Sequence, residues 1–242
     1  MSLTCLLMYE ILDWSEVWAL LIPLAILLFK KPSRALYPVV WYVWIGLVLN
    51  IALDSVWKFA IEFPFTSQPG DNIFLYKTHS IVRFILFSWF FISLRQALFS
   101  RLIKVIFALF IIFAVINFTF FESFPAFETR ILSVEAGLLL INCLIYYFNV
   151  YMQDQQISNK KNPAFWVTTG LSIYTVINFP IFLFYKQISI HYPVFGDQIW
   201  DIHNVFFIIL CIFLARAFYI EPNDQLSTQT GRMVASKKQH HV

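Results

Sequence analysis

Residues 102–121 read LIKVIFALFIIFAVINFTFF, twenty positions with a single charge, Lys104, near the start. Wound as an α-helix rising about 1.5 Å per residue, such a run crosses the roughly 30 Å hydrocarbon core of a bilayer. Working outward, comparable runs fill most of the 242-residue chain. They predict seven spans at Leu7–Phe29, Leu36–Trp57, Thr78–Phe99, Leu102–Phe121, Leu132–Met152, Ala164–Tyr185 and Trp200–Ile220. Hydrophobic residues make up 60% of the chain and charged residues only 13%, whereas about a quarter of a soluble domain is charged. Backbone groups in lipid must bond internally, and uninterrupted apolar runs satisfy that as helices rather than as alternating barrel strands. The expected fold is an all-α integral membrane bundle of seven helices over residues 1–220, followed by a polar, disordered cytoplasmic tail over 221–242.

Charge placement predicts orientation. Lys30, Lys31, Arg34, Arg95, Arg101, Lys104, Lys160, Lys161, Arg216, Arg232, Lys237 and Lys238 fall on one side. Only Lys58, Lys77, Arg130 and Lys186 fall on the other. Positive connections stay in the cytoplasm, so the N-terminus is expected outside, the C-terminus inside, and the chain in the cytoplasmic (inner) membrane. Topology and anionic lipid account for the basic residues, and nucleic acid is not an expected partner. The first run lacks a basic leader, and Glu10, Asp13 and Glu16 interrupt it, so it reads as a helix rather than a cleaved signal. Cys5, Cys143 and Cys211 are scattered and read as small apolar packers.

An internal similarity suggests two parallel three-helix repeats, about residues 7–99 and 132–220, joined by a linker helix at 102–121. Gly70-Asp71-Asn72-Ile73-Phe74 leads to His79, and Gly196-Asp197-Gln198-Ile199-Trp200 leads to His203. Pro38 and Trp41 open helix 2 with the spacing of Pro163 and Trp166 in helix 6. The Gly-Asp pairs also suit a turn followed by a helix N-cap. Pro23 and Pro180 lie inside helices 1 and 6 and are expected to kink them.

Ionisable groups within a span are costly and mark candidate sites. Asp54 and Lys58 are four apart on helix 2, His79 and Arg83 four apart on helix 3; Glu135 opens helix 5, and Asp201 and His203 open helix 7. All lie in the expected outer half, so these seven residues form the predicted ligand-binding set. Arg83, one turn inside an apolar run, needs an acidic or carbonyl partner, with Asp54 the first choice and Glu135 or Glu16 the alternatives. A different reading takes His79 and His203 as axial ligands of a haem, or as zinc ligands together with His191 and Asp197 or Asp201. Both histidines lie at helix ends and no HxxxH or HExxH pair is present, so no cofactor or metal is predicted. His240 and His241 close the tail and read as solvated. Asn50, Thr168, Thr169, Ser172, Thr175 and Asn178 lie deeper and are expected to bond neighbouring helices or backbone freed by Pro180, with a solute path as the alternative. Trp41, Trp44, Trp57, Trp166 and Trp200 near helix ends read as an interfacial belt.

In plan the chain resembles microbial rhodopsins and seven-helix receptors. Trp200–Ile220 contains no lysine, which excludes a retinal Schiff base at the rhodopsin position. The three-plus-one-plus-three plan is similar to that of SWEET-type sugar transporters, without their Pro-Gln motif. Alkaline ceramidase and progestin-receptor-like hydrolases also share seven helices, but their paired histidines on the last helix are absent. Tyr76-Lys77-Thr78-His79-Ser80 and Trp200-Asp201-Ile202-His203-Asn204 resemble phrases in small seven-helix bacterial membrane proteins and sensor modules. The ionisable residues clustered at one end of the bundle predict a sensor or receptor-like protein with a small ligand and a separate signalling partner, and with no nucleophile-base pair, phosphate loop or metal motif in the sequence an enzyme is not expected. The alternatives are a small-solute transporter with alternating access between repeats, and a structural subunit of a membrane complex.

Overall fold

The computed structural model describes residues 11–63, 70–94, 97–121, 129–152 and 162–220. The predicted tail at 221–242, with His240 and His241, lies outside the described residues, as do Cys5, Glu10, Arg95, Lys160 and Lys161. The described chain is all helical, with no strand: α1 (Ser15–Phe29), α2 (Tyr37–Lys58), α3 (Ile73–Ser93), α4 (Ala97–Ile116), α5 (Arg130–Met152), α6 (Pro163–His191) and α7 (Pro193–Tyr219). A 3-10 turn at Arg34–Leu36 precedes α2, and a π turn at Asn117–Phe121 closes α4. Five helical stretches are long and apolar enough to cross a membrane, Arg34–Lys58, Ser100–Phe121, Arg130–Met152, Pro163–His191 and Pro193–Tyr219. The protein is therefore a helical membrane protein. Helix α1 is apolar but short, and Lys77, His79 and Arg83 lower the hydropathy of α3.

Named contacts fix the direction of each helix. Lys58 Nζ lies 3.3 Å from Asp13, and Tyr76 and His203 both reach Glu16, so α1, α3 and α7 start where α2 ends. At the opposite end Lys30 stacks over Tyr219, and Ser93 donates to the carbonyl of Ala35. We call the Asp13 end upper and the Lys30 end lower. In lipid, apolar contact alone does not favour one helix pairing over another, so close backbone approach and polar contacts decide the arrangement. Gly170 shows the first. A Cβ there would lie 2.5 Å from Cβ of Phe213, so only glycine lets α6 and α7 meet. Below, Phe84, Phe87, Phe90 and Phe91 bury the lower part of α3, with Phe84 and Phe110 rings 3.9 Å apart.

Helix α3 ends at Ser93 and α4 starts at Ala97, earlier than expected, and three further boundaries bear on the site. Helix α3 starts at Ile73, not Thr78, which moves Lys77 from a connection into the helix and buries it completely. Helix α6 runs to His191 and α7 starts at Pro193, so Tyr192 alone joins the two. The stretch read as a loop before Trp200 is helical because proline at the first helical position sacrifices no hydrogen bond. As a result the two Gly-Asp pairs are not equivalent. Gly70 takes φ +77° in a turn, and Asp71 accepts from the amide of Ile73. Gly196 and Asp197 instead lie within α7, so the predicted N-cap there is absent.

Candidate functional site

Two of the buried charges, Arg83 and Glu135, anchor one cluster. Each element contributes by helical spacing: Ser80 and Arg83 share a face of α3, Glu135 sits in the second turn of α5, and Tyr174 and Asn178 are one turn apart on α6. Arg83 meets Glu135 in a two-pronged pair, Nε donating to Oε1 at 2.8 Å and Nη2 to Oε2 at 2.6 Å. Its Nη1 donates to the Tyr174 hydroxyl at 2.6 Å, and Ser80 donates to Glu135 at 3.3 Å. Side-chain exposure is 5% for Arg83 and 0% for Glu135. The predicted first-choice partner, Asp54, is not the one found. It lies on α2 with its Oδ2 unpartnered, because the buried face of α5 rather than α2 meets Arg83.

A second cluster sits beside the first. His203 Nδ1 contacts Asn178 Oδ1 at 2.5 Å, and Nε2 contacts Glu16 Oε1 at 2.9 Å. Asn178 Nδ2 donates to the carbonyl of Tyr174, which leaves its Oδ1 as acceptor and makes His203 Nδ1 the donor. One proton must then lie between His203 Nε2 and Glu16. The Tyr76 hydroxyl donates to the other Glu16 oxygen at 3.3 Å, and Asn50 donates to the Glu16 carbonyl at 2.8 Å. Trp200 lies against the His203 ring, centroids 4.7 Å apart. Trp41, Trp44 and Trp57 are exposed. The clusters join at α6: Tyr174 meets Arg83 through its hydroxyl and Asn178 through its carbonyl.

Of the seven predicted ligand residues, the structure brings Arg83 and Glu135 together and places His203 next to them through Asn178 and Tyr174. His79 stacks on Tyr42 with Nε2 unpartnered, facing Gly46. Lys58 pairs with Asp13 rather than Asp54, at 30% and 46% exposure. Asp201 is half-buried on α7. His191 is exposed at the end of α6, remote in fold position from the buried His203. Among the described residues no three His, Cys, Asp or Glu side chains converge as a metal site.

Glu16, Tyr76, Tyr174 and Asn178 complete the network but were not in the predicted set. Glu16 and Asn178 stand out in the sequence as polar groups within spans, and Tyr76 opens the Tyr76–Ser80 phrase, whereas Tyr174 carries no signal that separates it from the other aromatics. Polarity also continues downward. Glu135, Asn142, Tyr146 and Asn149 recur at spacings of seven, four and three on the buried face of α5. The Asn142 amide, Tyr146 hydroxyl, Thr168 hydroxyl and Ser88 hydroxyl are buried with no protein partner. Cys143 and Cys211 are free and buried. Comparison of the chain with protein-family models, curated proteins and solved structures found no match.

Proposed function

We propose that this chain is a sensor of the cytoplasmic membrane with seven spans, its upper end outside and its lower end inside. A signal at the upper half rearranges the buried charge network, and a separate partner reads the movement of α6 and α7 at the inner face. The observation that carries this reading is the unbroken run of contacts Glu135–Arg83–Tyr174–Asn178–His203–Glu16, which ties α5, α3, α6, α7 and α1 together. Its members occupy one another: both Glu135 oxygens and both His203 nitrogens are engaged. That arrangement supports conformational rather than chemical use. Removing one partner of a buried pair leaves an uncompensated charge, costing about 3–5 kcal/mol, so a movement of these helices must re-pair the charges rather than simply part them.

The test places spin labels at exposed Leu102 on α4 and Ile212 on α7, and compares wild type with Glu135→Gln and Arg83→Gln. The expected result is a shifted or broadened distance in both variants. Identical distributions in folded variants would sink the proposal.

Alternating-access transport is a second reading, favoured by one observation, the unpartnered polar groups in the lower half of α3, α5 and α6. Cys143 sits beside Asn142 and separates the two. Its modification by a membrane-impermeant thiol reagent added from the lower side favours transport, and a silent Cys143 favours the sensor.

A further inference from the structure

A groove of about 530 Å³ opens at the upper end between α5 and α6, with Phe113 of α4 facing it. That volume falls within the ~300–1,000 Å³ typical of small-ligand sites. Arg130, Lys186 and His191 supply positive or ionisable nitrogen around it. Val134, Leu183 and Ile190 give it apolar walls. The combination suits one kind of molecule, with an anionic head at the interface and a hydrocarbon chain along the helices. We infer that the groove binds an anionic amphiphile, a carboxylate or phosphate carried on an acyl chain, entering sideways from the outer leaflet.

This inference rests on the sensor reading and supplies its ligand class. The mechanical connection is short. Thr129 donates to the carbonyl of Phe182 at 2.7 Å, and Ser133 to the carbonyl of Thr129 at 2.9 Å, so the groove is where the two walls are tied. The lining residues Ser133 and Val134 immediately precede Glu135. A chain wedged between α5 and α6 therefore pushes apart the two helices that hold the partners of Arg83, Glu135 on one and Tyr174 on the other.

The experiment uses the full chain in phosphatidylcholine nanodiscs and measures retention of oleate, phosphatidylglycerol and inorganic phosphate by native mass spectrometry. Wild type should hold about one oleate or one phosphatidylglycerol. The double change Arg130→Gln with Lys186→Gln should weaken retention about tenfold or more, from roughly 1 kcal/mol per basic residue. Leu183→Trp, which fills the groove and keeps every charge, should weaken it comparably, and Arg130→Lys with Lys186→Arg should restore it. Lys104→Gln, at the other end, should leave it unchanged. Retention of oleate alone assigns a free fatty acid and of phosphatidylglycerol alone a lipid headgroup; either supports the site. Phosphate binding without a chain, or full retention in Leu183→Trp, overturns it. If oleate is held while the Leu102–Ile212 label distance stays fixed, the groove stands and the sensor reading falls. If no amphiphile is held while Glu135→Gln still moves the labels, the groove falls alone.

Discussion

Two ion pairs of similar chemistry occupy opposite environments in this protein. Arg83 and Glu135 are almost fully enclosed and doubly bonded, whereas Lys58 and Asp13 touch at 3.3 Å with a third to a half of each side chain exposed. Proximity is shared; desolvation is not. The enclosed pair has surrendered water and depends on its partners, while the exposed pair retains water as a substitute when contact is lost. The difference teaches that the network on α3, α5 and α6 specifies how the helices assemble, and that the pair at the rim trims it.

The largest effect expected is from Arg83→Gln or Glu135→Gln, about 3–5 kcal/mol of stability lost in reversible unfolding from lipid-detergent micelles. Replacing both by apolar residues of similar size should cost clearly less than either single change. Equal costs for the double and the singles would break the argument from orphaned charge. Asn178→Leu should cost about 1–3 kcal/mol by leaving His203 Nδ1 unpaired, and a neutral result would show that the two clusters are not joined through α6. Lys58→Gln should cost less than about 1 kcal/mol. The smallest effect is that of salt: raising it to about 1 M shortens screening to roughly 3 Å, and should remove what little Lys58 contributes while leaving the cost of Arg83→Gln unchanged. A salt-sensitive Arg83 would mean that water reaches it.

The helical class and the membrane were legible because apolar runs of twenty residues admit few alternatives. The candidate site was legible in its charges: Arg83, Glu135 and His203 stand out against apolar neighbours, and Glu135 was among the partners considered. Asp54 misled because spacing along one helix says nothing about which neighbouring helix faces it. Tyr174 was hidden for another reason. In a chain with 19% aromatic residues, one tyrosine at the meeting point of two clusters has the same local sequence character as tyrosines that face lipid. The starts of α3 and α7 were hidden by polar residues, since Lys77 and the stretch from Lys186 to Asp197 look like connections, whereas the fold buries Lys77 and continues α6 and α7 as helix to either side of Tyr192.

One feature of the turn at Tyr192 extends beyond packing. A single residue joins helices of 29 and 27 residues, about 44 and 40 Å long at 1.5 Å per residue. Gly170 holds their backbones together lower down. By geometry alone, a tilt of about 5° about Tyr192, over about 40 Å of helix, would carry the far end through some 3–4 Å. On the proposed sensor reading, rearranging a few hydrogen bonds at the upper end would move the lower end of this hairpin by about the width of a side chain.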